Sequence, residues 1–97
     1  MSKLGLLVRL EAKPGMEAEV EAFLKSALPL AQTEAATLDW YAVRINENTF
    51  GIFDTFETEE GRSAHLNGPI AAALMANADR LLAKPPVIEQ IDILAFK

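Results

Sequence analysis

The sequence predicts an α+β fold in which strands and helices follow one another as β-α-β-β-α-β, with a four-stranded antiparallel sheet carrying its helices on one face. Three observations predict it. The apolar period switches between two and 3.6 in that order along the chain. Two strand-like runs, Trp40 to Asn46 and Thr49 to Glu57, are parted only by Glu47-Asn48, so they pair as antiparallel neighbours. No internal linker or short repeat interrupts the 97 residues, so residues 1–97 are expected to form one domain. This is the split βαβ, or ferredoxin-like, plan.

The first strand is expected over Leu4 to Ala12, where Leu4, Leu6, Val8 and Leu10 share a face opposite Gly5, Leu7, Arg9 and Glu11. Lys13-Pro14-Gly15 ends it, with Pro14 placed near the first turn of a helix, where its missing N–H matters little. Met16, Val20, Phe23, Leu24, Ala27 and Ala31 then follow the helical period, and Pro29 is expected to kink or shorten that helix. After the hairpin, Thr58-Glu59-Glu60-Gly61 opens a short helix carrying Arg62 and His65. Asn67-Gly68-Pro69 starts another, with Ile70, Leu74, Ala78 and Leu81 on one face, and Lys84-Pro85-Pro86 stops it. Val87 to Phe96 is the expected last strand.

The strands are apolar on both sides. Phe50, Ile52 and Phe56 share one face of the third strand, yet Phe53 stands on the other, as Leu7 does on the first. Helices cover only one face of such a sheet, so the second apolar face needs another cover. A two-fold copy of the same chain supplies it, and a homodimer through the sheet face is expected.

The net charge is −5, and nine scattered Lys and Arg make no basic stripe, so neither nucleic acid nor an anionic membrane surface is an expected partner. No apolar run is long enough to span a bilayer. Met1-Ser2-Lys3-Leu4 runs into the first strand without a charged leader and cleavage site, so no signal peptide and a cytoplasmic location are expected. The absence of cysteine excludes disulfides and thiol chemistry. One histidine among scattered acids is far from a metal shell, so no metal is expected.

From the third strand onward, Phe53-Asp54-Thr55-Phe56-Glu57-Thr58, Ala64-His65-Leu66 and Pro69 resemble the antibiotic biosynthesis monooxygenase family of dimeric α/β barrels, and Pro14-Gly15 fits too. The resemblance implies a dimer whose sheets face each other and a small cavity between sheet and helices. It also implies, for the members that oxidise hydroquinones or anthrone-like phenols, chemistry with dioxygen and no cofactor. The quinol-oxidising members similarly carry Ala-His-Leu and an acidic residue at Asp54. Where anthrone oxidisers place Asn, Trp and Tyr, this chain has Ile52, Phe56 and Arg62. Where haem degraders place Asn, Trp and an axial His, it has Val8, His65 and Met75, so haem breakdown is not expected.

His65 is the side chain whose ordinary pKa lies near neutrality, so it is the candidate to take a phenolic proton; the plain alternative is a half-buried histidine bonded to a backbone carbonyl. Asp54 shares parity with Phe50 and Ile52 and points at the helices, where a carboxylate must be paired. It is expected to hold His65, or else Arg62 or a helix N-terminus. Trp40 and Tyr41 must face opposite ways, and one of them lines the cavity and stacks on substrate, or both are simply core and interface. Arg44 shares parity with Trp40 and is expected on the dimer face or its rim, with anion capture as a lesser role. Ile52, Phe56, Arg62 and Met75 complete the candidate substrate-binding set, Met75 having core as its plain reading. These residues support three functions. The first is a cofactor-independent monooxygenase acting on a small electron-rich aromatic. The others are a non-catalytic binding module and an acid/base lyase or isomerase.

Overall fold

A computed structural model describes residues 3–97; Met1 and Ser2, expected as the lead-in to the first strand, lie outside the described residues. The elements are β1 (Leu4–Glu11), α1 (Glu17–Thr33), β2 (Thr37–Arg44), β3 (Thr49–Phe56), α2 (Glu59–Leu66), α3 (Pro69–Leu81) and β4 (Val87–Asp92). The strands lie in the order β2-β3-β1-β4, and every neighbouring pair is antiparallel. This is the ferredoxin-like α+β fold.

The two central strands present their expected faces to the helices. Leu6, Val8, Leu10, Phe50, Ile52 and Phe56 are buried there, against Val20 and Leu24 of α1 and Ile70, Leu74 and Leu81 of α3. Each large side chain sequestered in this way stabilises the fold by about 1.5–3 kcal/mol before entropy is counted. The opposite face is open. Register puts Leu7, Phe53 and Tyr41 in one row, with the Phe53 and Tyr41 rings stacked 6.4 Å apart. Val43, Ile45 and Val87 are exposed as well. At Gly51 a Cβ would come within 3.1 Å of the Val8 carbonyl oxygen and 3.3 Å of the Val43 side chain, so glycine lets Val43 lie flat on the sheet.

Several boundaries differ from expectation. Pro14 is not in the first helical turn: it sits in the turn before α1, where Gly15 adopts φ +88°, a left-handed conformation that glycine takes without a Cβ clash. Met16 is the N-cap and Glu17 the first helical residue. Pro29 does not shorten α1, which runs on to Thr33. Pro29 is exposed, so the hydrogen bond it forfeits can be replaced by water. The second strand starts at Thr37, not Trp40, because a register shift between Thr37 and Asp39 breaks the period-two pattern. It also ends earlier, since the Ile45 and Asn46 N–H groups both turn to the Thr49 carbonyl (2.8 and 3.3 Å). The last strand stops at Asp92, opposite Leu4, and one further backbone bond follows it, from the Ile93 N–H to the Lys3 carbonyl at 2.9 Å. Leu94, expected within it, is 96% exposed. Among the described residues no helix is long and apolar enough to cross a membrane.

Candidate functional site

The site forms where three elements end or cross. Asp54 projects from the middle of β3 toward the helices, as its parity requires, and is 1% exposed. His65 stands in the last turn of α2, whose start is fixed by Thr58: its Oγ1 accepts from the Gly61 N–H at 3.1 Å. Glu34 is the residue that ends α1, with extended backbone that turns the chain toward β2. These elements close around one imidazole. Nε2 of His65 lies 2.8 Å from Asp54 Oδ2, and Nδ1 lies 2.6 Å from Glu34 Oε1. Thr37 Oγ1 donates to the same Glu34 oxygen at 3.0 Å. The Phe56 ring sits 5.4 Å from the imidazole, tilted by 47°, and walls it from water.

The electrostatics follow from this geometry. The His65 ring is 7% exposed, and burial by itself would lower its pKa; the hydrogen bonds and charges of Asp54 and Glu34 outweigh burial and raise it from 6.5 to about 8. At neutral pH the ring is therefore chiefly imidazolium held between two carboxylates. The Asp54 contact is close but poorly aligned, leaving both Asp54 oxygens without a well-directed donor. We regard it as an ion pair first and a hydrogen bond second.

A cavity of about 230 Å³ opens beside this cluster, lined by Glu34, Thr37 and Trp40 together with Leu28, Ala31, Gln32 and Leu38. Trp40 pairs with Asp54 across the strands, so its side chain lies on the helix side of the sheet. Tyr41 is thereby the residue turned away: it is 55% exposed on the open face and lines no part of the cavity. The remaining candidates are used differently from expectation. Arg62 meets neither Asp54 nor a cavity beside His65. It is buried, and its Nη1 donates to the carbonyls of Gly5 (3.3 Å) and Ile91 (3.2 Å), tying α2 to the sheet. Ile52 and Phe56 are core residues, so the sheet–helix space where they project is filled by packing.

Met75 is not core: it is 59% exposed on α3 and borders a separate hollow with Lys13 and Pro86. Arg44 does not reach the open face. Its guanidinium lies over the Phe50 ring at 5.0 Å and donates to the Asn46 and Glu47 carbonyls, closing the hairpin. Glu34 is the functional candidate that sequence reasoning missed. An acid just past a helix looks like a solvated end, and only the fold, which brings the end of α1 to the last turn of α2, reveals its partner.

With this geometry in place, the fold is that of the antibiotic biosynthesis monooxygenases. It matches structures named as candidate members from Caulobacter crescentus (22% identity, TM-score 0.80, covering 97% of this chain and 92% of that one) and from Nitrosomonas europaea (10% identity, TM-score 0.84, 96% and 91%). The chain belongs to one family with NE2512, a protein of unknown function from Nitrosomonas europaea, at 60% identity and TM-score 0.97 over 100% of this chain and 94% of that one. No protein-family model matches the chain, and neither does any curated protein.

Proposed function

We propose that this chain is a cofactor-independent monooxygenase that oxidises a small phenol or hydroquinone with dioxygen. The observation that carries this reading is the buried Glu34–His65–Asp54 cluster standing beside a cavity walled by Trp40. The shared fold with candidate antibiotic biosynthesis monooxygenases supports it. Loss of the phenolic proton turns the ring into a phenolate, which gives up an electron far more readily. His65 is screened from the cavity and engaged at both ring nitrogens, and it is already chiefly protonated at neutral pH, so only its neutral form, populated increasingly toward pH 8, takes up that proton, through Glu34 rather than by direct contact. The phenolate then passes one electron to dioxygen, and the radical pair joins as a C–O bond at a ring carbon bearing hydrogen. That carbon releases its proton and the O–O bond breaks. One oxygen atom remains as a quinone carbonyl and the other leaves as water, the ring having lost four electrons. The chain contributes proton transfer, orientation and a dry wall.

The reading is tested by oxygen uptake against a panel of phenols and hydroquinones. His65→Ala should lower turnover more than about tenfold, the usual minimum for a lost proton-transfer group. Unchanged rates would remove His65 from the reaction, and turnover under strict anaerobiosis would point to an acid/base lyase or isomerase instead. A second reading, a non-catalytic binding module, draws on the packing of Ile52, Phe56 and Arg62 into the fold at the positions where anthrone oxidisers carry their polar set. An aromatic ligand that raises the melting temperature with no oxygen consumed would favour it.

The open sheet face belongs to the same proposal. Leu7, Tyr41, Phe53, Val43 and Val87 make an apolar surface with no cover from this chain's helices. A second copy, related by a two-fold axis, would cover it with an identical surface.

A further inference from the structure

We propose that the hollow between α2 and β4 binds the carboxylate of a small molecule, held side-on by Nε and Nη2 of Arg62. The hollow measures about 250 Å³ and is lined by Glu59, Arg62, Ser63, Leu66 and Gln90. It shares no lining residue with the cavity beside Glu34, so this site stands whether or not the chain is a monooxygenase.

Arg62 carries the inference. Its side chain is 9% exposed, and a charge taken that far out of water is normally met by a close opposite charge and a full set of hydrogen bonds. Arg62 has neither. A guanidinium offers five N–H donors. Nη1 donates to the Gly5 and Ile91 carbonyls, at 3.3 and 3.2 Å, and both of those acceptors are neutral. Among the described residues no atom accepts a hydrogen bond from Nε or Nη2. The carboxylate nearest to hand, Glu59, lies 3.8 Å from Nη2, beyond hydrogen-bond reach, on a side chain that is 83% exposed. Exposed partners of this kind hold loosely and give way to solvent.

The free edge of Arg62 is also reachable. The buried side-chain atoms that lack a partner belong to Glu34, Trp40 and Asp54, and no atom of Arg62 is among them, so Nε and Nη2 keep contact with solvent. The guanidinium cannot swing out of the hollow without breaking both Nη1 bonds to the sheet. Nε and Nη2 point two N–H bonds the same way along one edge of the planar group, and the two oxygens of a carboxylate match that spacing.

The surroundings choose the ligand. A phosphate or sulfate dianion would sit beside Glu59 with a single cation to balance it, in a chain of net charge −5. A neutral amide of the same shape forfeits the charge. Ser63 and Gln90 bring hydrogen-bonding side chains to the walls, and Leu66 brings the one large apolar side chain, so a short polar carboxylate suits the space better than a fatty acid.

The test uses the whole chain, nitrogen-labelled for magnetic resonance. Sodium acetate, sodium chloride at matched ionic strength, acetamide and inorganic phosphate are titrated in turn, each read on the Arg62 Nε–H signal and on the Ser63 and Gln90 backbone amides. Acetate should shift these signals saturably and bind at least about tenfold more tightly than acetamide. Glu59→Gln removes the competing carboxylate and should tighten acetate about two- to fivefold. Arg62→Lys keeps the charge without the fork and should weaken acetate at least about tenfold. Chloride shifts that match those of acetate, phosphate binding tighter than acetate, or a Glu59→Gln variant with unchanged or weaker acetate binding would overturn the site. The last result would make Glu59 the lasting partner of Arg62. These comparisons decide the matter even if Arg62→Lys fails to fold.

Discussion

Because the chain has a single histidine, the imidazole between Glu34 and Asp54 can be titrated without ambiguity. The perturbation is pH, read as the chemical shift of the His65 Cε1–H group. The midpoint should fall at about 8, raised from 6.5 because the two carboxylates outweigh the opposing effect of burial. A group bound more tightly to its proton when folded stabilises the fold while that proton is on. The stabilisation is therefore fully present below about pH 6.5 and fades as pH rises through about 8. At about 1.4 kcal/mol per pH unit, the difference amounts to about 2 kcal/mol. Urea denaturation at pH 6 and at pH 9, at one protein concentration, should show the wild type losing about that much, while His65→Gln loses none of it. Glu34→Gln, which removes one of the two carboxylates, should bring the midpoint below that of the wild type. A midpoint at or below the ordinary histidine value, or parallel pH curves for wild type and His65→Gln, would refute the ion-pair account of this cluster.

Two further outcomes test the frame around the site. Tyr41→Glu places a charge in the centre of the open apolar row; sedimentation equilibrium at micromolar concentration should show a dimer for the wild type and a folded monomer for the variant. A folded wild-type monomer would sink the proposal that a second copy covers this face. Thr58→Ala removes the side chain that accepts from the Gly61 N–H at 3.1 Å and should destabilise the fold by about 1 kcal/mol in urea, since α2 then starts with an unmet donor. A loss of only a tenth or two of a kcal/mol would mean that α2 is held by its packing and by the Arg62 bonds to the sheet instead.

What could be read from the sequence was what side-chain parity decides. The helix-facing residues of β1 and β3, the inward Asp54 and the short helix bearing His65 all follow from alternation and capping, because each is fixed within a few residues of chain. The features that were not legible depend on distant partners. Thr37 joins β2 only because it pairs with Phe56 across a register shift, and the end of β4 at Asp92 is set by its pairing with Leu4 at the start of β1. Met75 follows a helical run of small apolar residues, yet it projects from α3 largely into solvent, at the border of a hollow. Glu34 could not be read at all, since its partner lies 31 residues further along the chain.

The same contrast explains where the candidate site lies. Ile52, Phe56 and Arg62 stand where anthrone oxidisers are similar in placing polar and aromatic residues, and in this chain all of them are consumed by packing or by bonds to backbone carbonyls. Apolar side chains there close the space under the centre of the sheet. The imidazole is nevertheless buried with two carboxylates, an arrangement that costs desolvation on three groups and contributes less to stability than apolar packing of the same volume would. Such a cluster is hard to account for as a device for stability alone. Of its three groups only Glu34 borders the neighbouring hollow, next to Trp40, so chemistry on a ligand held there would reach it through that residue. A substrate bound instead beneath Ile52 would stand on the same strand face as Asp54 rather than beside Glu34, and the location of bound ligand therefore decides which of the two carboxylates serves it.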